Sequence, residues 1–300
     1  MFMNTVSITY QVLYIVVPTI SVIGNTFIVY ATVLSRKLRN PCNIFIALIA
    51  LGDIMLMFSF YTTVFTYKIY NDHQIPQDVC VYLHIAPIFG SCFSAMLLLN
   101  LAIDRILSLT AFYEVLTTSY VKFYIAAQLL PGCIFAVIVD VLIIINRTAE
   151  EKVVCTLAMP LRPPINELYV RTIAIVSILL IICYSVFGLF LKKLQMSTEN
   201  MKSVYRSLIV ISLTIVFGNF GAMAVALTDD LNNPSITPIL LAGLLMNFGT
   251  TVNFFAYYSL SSQYREVFDN VLGIGRLKKI FQAKKLTSVQ QISIRHRDSH

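Results

Sequence analysis

The sequence predicts an all-α membrane protein built as a seven-transmembrane helix bundle. Three observations carry that reading. Hydrophobic residues make up 57% of the 300 residues and charged residues only 12%, where an ordinary soluble domain carries roughly a quarter charged residues. Mean hydropathy is +0.77. The apolar residues also gather into seven stretches, each long enough for the roughly 20 helical residues that cross a hydrocarbon core of about 30 Å. Disorder, collagen, coiled coil and a disulfide-rich secreted scaffold are excluded on the same grounds.

The expected spans are about 10–34, 43–67, 79–108, 122–145, 168–193, 204–228 and 237–259. They are helices and not barrel strands, because the apolar runs are long and do not alternate. Residues 1–9 form a tail without Lys, Arg, Asp or Glu and without a small-x-small cleavage pattern, so the first span reads as a signal-anchor. The loops are too short to hold a soluble catalytic domain. Residues 273–300 form a polar, basic tail suited to anionic lipid head groups.

Basic residues orient the bundle. One set of loops and the tail hold 17 Lys and Arg, and the other set, including Lys68, Arg147, Lys152, Arg162 and Arg171, holds 5. That places the N-terminus outside and the C-terminus in the cytoplasm of a multi-pass plasma-membrane protein. The formal net charge of +7 is therefore mainly a topology signal and does not point to nucleic acid.

Of six cysteines, Cys42, Cys92, Cys133 and Cys183 read as small buried hydrophobes. Cys80 and Cys155 differ, since both fall on the outer side, facing an oxidising compartment. A bond between them would pin the longest outer loop onto the top of span three. Asn146-Arg147-Thr148, on the same side, is a glycosylation acceptor sequence.

Polar groups inside a bilayer are costly and usually mark function. Asn25, Asp53, Ser94 and Asn253 lie on four different spans. Counting residues at 1.5 Å each puts them all roughly 10–16 Å above the cytoplasmic boundary. They should converge, either as a satisfied packing cluster or as a switch region bearing water and an ion. Asp104-Arg105 ends span three at the cytoplasmic face. Taken alone, that pair reads as a snorkelling arginine with a counter-ion. Asp140 and Arg171 fall in the outer halves of spans four and five. Leaving either charge unpaired would cost about 2–3 kcal/mol, so they are expected to pair.

Together these residues resemble a rhodopsin-like (class A) G-protein-coupled receptor over about residues 10–270. The resemblance rests on Gly24-Asn25 in span one and on Leu-Ile-Ala-Leu-Gly-Asp ending at Asp53. It continues with Ala-Ile-Asp-Arg-Ile at 102–106, Cys80 placed 25 residues before Arg105, Cys183-Tyr184 in span five and Asn-Phe-Phe-Ala-Tyr at 253–257. Tyr264-Arg265 resembles the start of the family's short amphipathic eighth helix, over 261–272. There are departures. The chain has no Trp, and the toggle position of span six falls near Asn219 or Gly221. The usual span-six proline is missing, and Val176 and Phe254 replace the prolines of spans five and seven. Such losses resemble nematode serpentine chemoreceptors of the Srsx type.

The resemblance implies a receptor that passes binding of an extracellular small molecule or peptide to a heterotrimeric G protein. Arg105 would be released from Asp104 to meet the G protein, with Tyr184 and Tyr257 moving towards it. Asp53, Ser94 and Asn253, near Asn25, would form a sodium and water site, weakened by Gly249 where the family has a further partner. A ligand pocket is expected around Pro87, Ser91, Asp140, Arg171 and Asn247. Pro87 occupies the position at which amine receptors carry an aspartate, so a biogenic amine loses its anchor. No other cofactor and no metal-ligand spacing are seen. Span count alone also allows a transporter or channel, although the repeated halves and broken helices of transporters are not apparent. An intramembrane enzyme lacks any catalytic constellation here.

Overall fold

The computed structural model describes residues 6–194, 199–226 and 236–271. The expected lipid contacts of the basic tail lie outside the described residues. Seven helices are long and apolar enough to cross a membrane. They are α1 (Ile8–Leu34), α2 (Pro41–Ile69), α3 (Gln77–Leu107), α5 (Val121–Ile145), α6 (Ile165–Leu194), α7 (Glu199–Ala226) and α8 (Ile236–Leu260). The described residues also form two short α-helices, α4 (Phe112–Thr118) and α9 (Ser262–Val271), and a 3-10 turn at Arg36–Leu38. Spans four to seven of the sequence are thus α5 to α8.

The bundle inverts the pattern of a soluble protein. Phe65, Phe123 and Phe217 are 66%, 78% and 73% exposed, while Asn25, Asp53 and Asn253 are buried. An apolar exterior is stable only against lipid. The chain is a multi-pass membrane protein.

Local chemistry sets the helix ends. Asn40 caps α2 by accepting from the Asn43 amide at 2.9 Å, and Pro41 supplies the first turn. The helix therefore begins two residues before the expected Asn43. Helix α3 is the axis of the bundle, with 72% of its apolar stretch buried against 28% for α5. It packs on α2, α5 and α6. The α2–α3 crossing is close because Gly52 and Gly90 face each other, and a β-carbon on Gly52 would sit 2.9 Å from the Gly90 carbonyl. Likewise a β-carbon on Gly218 of α7 would sit 2.9 Å from the Leu245 carbonyl of α8.

One end is closed by the Cys80–Cys155 disulfide, with both cysteines buried. A two-residue antiparallel pairing lies beside it, β1 (Ile75–Pro76) against β2 (Lys152–Val153). Gln77 extends the clasp, donating its amide to Glu151 O at 2.9 Å and accepting from the Thr148 amide at 2.8 Å. Lys152 bonds Asp72 at 2.8 Å and holds that carboxyl below its ordinary range. Arg162 pairs with Glu151. At the opposite end α9 lies against the bundle with Tyr264, Val267 and Phe268 buried and Arg265 and Glu266 exposed. The Tyr264 ring meets Tyr257 at 5.0 Å and its hydroxyl meets Thr32 at 3.2 Å.

Candidate functional site

The end of α3 carries the densest polar constellation among the described residues. Asp104 is fully buried and Arg105 largely so. The Arg105 Nε donates to Asp104 Oδ2 at 2.8 Å, and Nη2 bonds the same oxygen. The other carboxylate oxygen accepts two hydroxyls, from Tyr124 at 2.7 Å and Tyr113 at 3.1 Å. Tyr113 in turn accepts from Arg105 Nη2 at 3.1 Å. Burial pushes the Tyr113 phenol above its ordinary range, so it stays a donor. Charge-assisted bonds are roughly twice as strong as neutral ones. Four of them meet at one carboxylate, tying α3 to α4 and α5. This is more than a snorkelling arginine with a neighbour.

Arg105 also forms part of the wall of a cleft of about 360 Å³, with Cys42, Tyr113, Phe187, Tyr205 and Gln263. The cleft lies among the ends of α2, α3, α6 and α7 and the start of α9. Tyr205 of α7 donates to the Tyr184 carbonyl at 3.2 Å and packs on Phe187 at 5.1 Å. Tyr184 and Tyr257 are both buried. The Tyr184 hydroxyl has no hydrogen-bond partner and faces that of Ser212, which also has none. Arg105 donates its side-chain hydrogen bonds to Asp104 and Tyr113, not to Tyr184 or Tyr257.

The buried polar seam lies further along α3. Asn253 donates to Asp53 Oδ2 at 2.7 Å and keeps an unpartnered carbonyl oxygen. Ser94 faces Asp53 across a small cavity of about 40 Å³, which Asn219 and Thr250 also border. Asn25 is buried too, donating to Ser21 at 3.2 Å with its carbonyl oxygen unpartnered. Its neighbour Gly24 packs under Phe254, where any β-carbon would come within 2.6 Å of the phenylalanine. Of the two span-six candidates, Asn219 lines the cavity and meets Ser177 at 3.4 Å. Gly221 faces Leu245 instead.

Of the expected pocket residues, Ser91 borders the same cavity and bonds the Tyr169 hydroxyl at 2.7 Å. Pro87 and Asn247 are buried on α3 and α8, and the Asn247 amide nitrogen lacks a partner. The expected Asp140–Arg171 pair does not form. Arg171 is 76% exposed and bonds Glu167 at 2.9 Å, one turn back on its own helix. Asp140 is buried with one oxygen unpartnered. Depth along the two helices brings them level, but depth says nothing of azimuth. Asp140 turns inward near Cys92 while Arg171 turns outward, and α5 and α6 touch only sparsely. Asn146 is exposed at the end of α5, its amide bonded to Leu142 O at 2.8 Å.

Tyr113, Tyr124, Tyr169 and Ser212 join these clusters without a sequence signal of their own. A tyrosine 8 residues beyond Arg105 shows no periodicity that would mark it. Its meeting with Asp104 depends on the short helix α4 folding back under α3.

Seven apolar helices around a buried polar seam, with an arginine held at the mouth of an end cleft, define a serpentine membrane receptor. The family model described as the serpentine type 7TM GPCR chemoreceptor Srsx matches residues 18–272. The chain belongs to that family, which is a family of receptors. Over 107 residues, 36% of this chain, it is 28% identical to the adenosine receptor A2b of Gallus gallus. The match spans 31% of that receptor's length.

Proposed function

We propose that this chain is a chemoreceptor of the plasma membrane that couples an extracellular small molecule or peptide to a heterotrimeric G protein, shown here in its resting form. The observation that carries the reading is Arg105 held by Asp104 and Tyr113 at the wall of a 360 Å³ cleft. The 17:5 division of basic residues supports a cytoplasmic cleft and an extracellular disulfide end. In the active form Arg105 leaves Asp104 for the G protein. Tyr184 and Tyr257, both buried in the bundle, then fill the space behind it. Ligand binding shifts this equilibrium by favouring the open form.

The ligand pocket on this reading lies towards the disulfide end, reaching down to Ser91 and Tyr169. Asn247 and Pro87 lie on its flanking helices, and Arg171 sits at its rim at most. Below it, Asp53, Ser94 and the unpartnered Asn253 carbonyl offer oxygen ligands to a sodium ion. A cavity of about 40 Å³ suits such an occupant, since one water needs about 10–15 Å³. Glycosylation at Asn146 belongs to the same sidedness and requires its amide to leave Leu142.

The test is a reporter assay in cells expressing the receptor, screened with peptides and small odorants at matched surface expression. Arg105→Ala should reach the surface and lose the evoked response. A normal response from Arg105→Ala would sink the coupling role. Solute flux in proteoliposomes with no nucleotide exchange on any G protein would favour a transporter instead.

A further inference from the structure

Between α6 and α7 a second cavity of about 190 Å³ opens on the side of the bundle. Two of its wall residues, Ile181 and Leu213, are 43% and 41% exposed on the lipid-facing surface. The wall is otherwise aliphatic apart from Tyr184, Ser185, Tyr205 and Ser212, and none of its nine residues is charged. Ser185 and Tyr205 have their hydroxyls bonded to backbone carbonyls, of Ile181 at 2.7 Å and Tyr184 at 3.2 Å. Tyr184 and Ser212 are different. They are 6% and 3% exposed, and both hydroxyls lack a hydrogen-bond partner. They lie close enough to interact, although neither is placed at hydrogen-bonding geometry. A buried hydroxyl left without a partner costs about 1–3 kcal/mol, and here two of them face one cavity.

We infer that this cavity is a binding site for a small neutral alcohol that enters from the bilayer. A single hydroxyl can donate to one of the two orphan oxygens and accept from the other, which an apolar guest cannot do. Size sets the upper bound. An apolar cavity of about 150 Å³ takes up benzene, so 190 Å³ admits one ring bearing a hydroxymethyl group, and not a phospholipid. Charge sets the class. Tyr184 lies ten residues from the α6 end at Leu194, about 15 Å along the helix, where a charged guest would find no counter-ion in the wall. An occupant bonded to Tyr184 keeps that hydroxyl between α6 and α7, which links the site to the switch proposed above. Binding itself does not rest on that reading.

The chain contains no Trp, so one introduced indole reports on this cavity alone. The Leu213→Trp protein, with its reporter at the mouth, is reconstituted in lipid nanodiscs and titrated with 4-bromobenzyl alcohol, whose ring and hydroxymethyl group match the cavity while its bromine projects at the mouth and quenches indole fluorescence. The Phe65→Trp protein, with its reporter lipid-facing on α2, gives the quenching expected from partition into the bilayer. We expect saturable quenching in the Leu213→Trp protein and linear quenching in the Phe65→Trp protein. The matching methyl ether, which cannot donate, should bind the Leu213→Trp protein at least about fivefold more weakly than the alcohol. Adding Ser212→Ala should weaken the alcohol by a similar factor, the scale of one net hydrogen bond. Ile209→Phe with Val216→Phe, which narrow the cavity from its wall, should weaken binding, and Ile181→Trp serves as reporter if Leu213→Trp fails to fold. Linear quenching at both reporters would mean that water alone satisfies the two hydroxyls, and would overturn the site. Saturation equal for alcohol and ether would overturn the hydroxyl assignment. No G protein is present, so either failure leaves the coupling reading untouched.

Discussion

The two ends of the bundle are closed in opposite ways. At the disulfide end, a covalent bond of 75-residue separation is backed by strand pairing and by ion pairs at Lys152–Asp72 and Arg162–Glu151. At the other end one buried carboxylate collects an arginine and two tyrosine hydroxyls beside an open cleft. The first closure is held by a covalent bond. At the second, Arg105 borders an open cleft and the Tyr184 hydroxyl is without a hydrogen-bond partner. On the proposed function, that asymmetry gives one end fixed to frame a ligand and one end able to change state.

The largest effect should come from breaking the fixed end. Cys80→Ser with Cys155→Ser releases a 75-residue loop, and a disulfide of this kind contributes about 2–5 kcal/mol. Thermal unfolding in detergent should move down steeply, with surface expression falling in step. An unchanged midpoint would show that the strand clasp alone closes this end, and the contrast between the ends would collapse.

Next is the cleft end. Asp104→Asn leaves Arg105 without its counter-ion, a change that costs about 3–5 kcal/mol when the pair is buried. Arg105 lines the cleft and is 16% exposed, so the loss should fall at the lower end of that range. Basal nucleotide exchange should rise while ligand binding at the far end stays as it was. The two tyrosines sharpen this further. Tyr124→Phe removes the shorter and more buried bond to Asp104 and should cost about 1.5–3 kcal/mol, as for a hydrogen bond to a charged group. Tyr113→Phe removes a less buried one and should cost less, while raising basal activity more because its hydroxyl also holds Arg105. Equal effects from the two would mean that they act on Asp104 alone.

The sequence made the spans and the inner polar residues legible for a physical reason. A lipid solvent forces long apolar runs, and a costly buried Asp53 or Asn253 stands out against them. Their meeting across α2 and α8 followed from depth, a single coordinate that counting residues supplies. The partners of Asp104 were not legible, because Tyr113 and Tyr124 reach it only through the path of α4 and the start of α5. The strand clasp was equally silent, since two residues per strand leave no alternation to read. Asn25 shows the limit of depth on an interior helix face. Counting residues does not give its hydrogen-bond partner, which is Ser21 one turn back on its own helix.

The smallest expected effect tests the same limit on the outer surface. Asp140 and Arg171 are level in the bundle, and level charges invite the inference of a pair. Arg171 instead bonds Glu167 one turn away, with side chains 76% and 61% exposed. An exposed pair spaced i,i+4 is worth about 0.3–0.5 kcal/mol. A double-mutant cycle on Glu167→Ala and Arg171→Ala should return a coupling of that size in thermal unfolding, shrinking further in high salt. The cycle on Asp140→Asn and Arg171→Ala should return no coupling, because one side chain turns into the bundle and the other away from it. Asp140→Asn on its own should leave stability unchanged or raise it, since the residue it replaces is buried with an unpartnered oxygen and an amide carries no charge to desolvate. A coupling above about 1 kcal/mol between Asp140 and Arg171 would mean that α5 and α6 turn towards each other in the membrane. The disulfide end would then be a second adjustable region, and the contrast drawn between the two ends would fail at its fixed member.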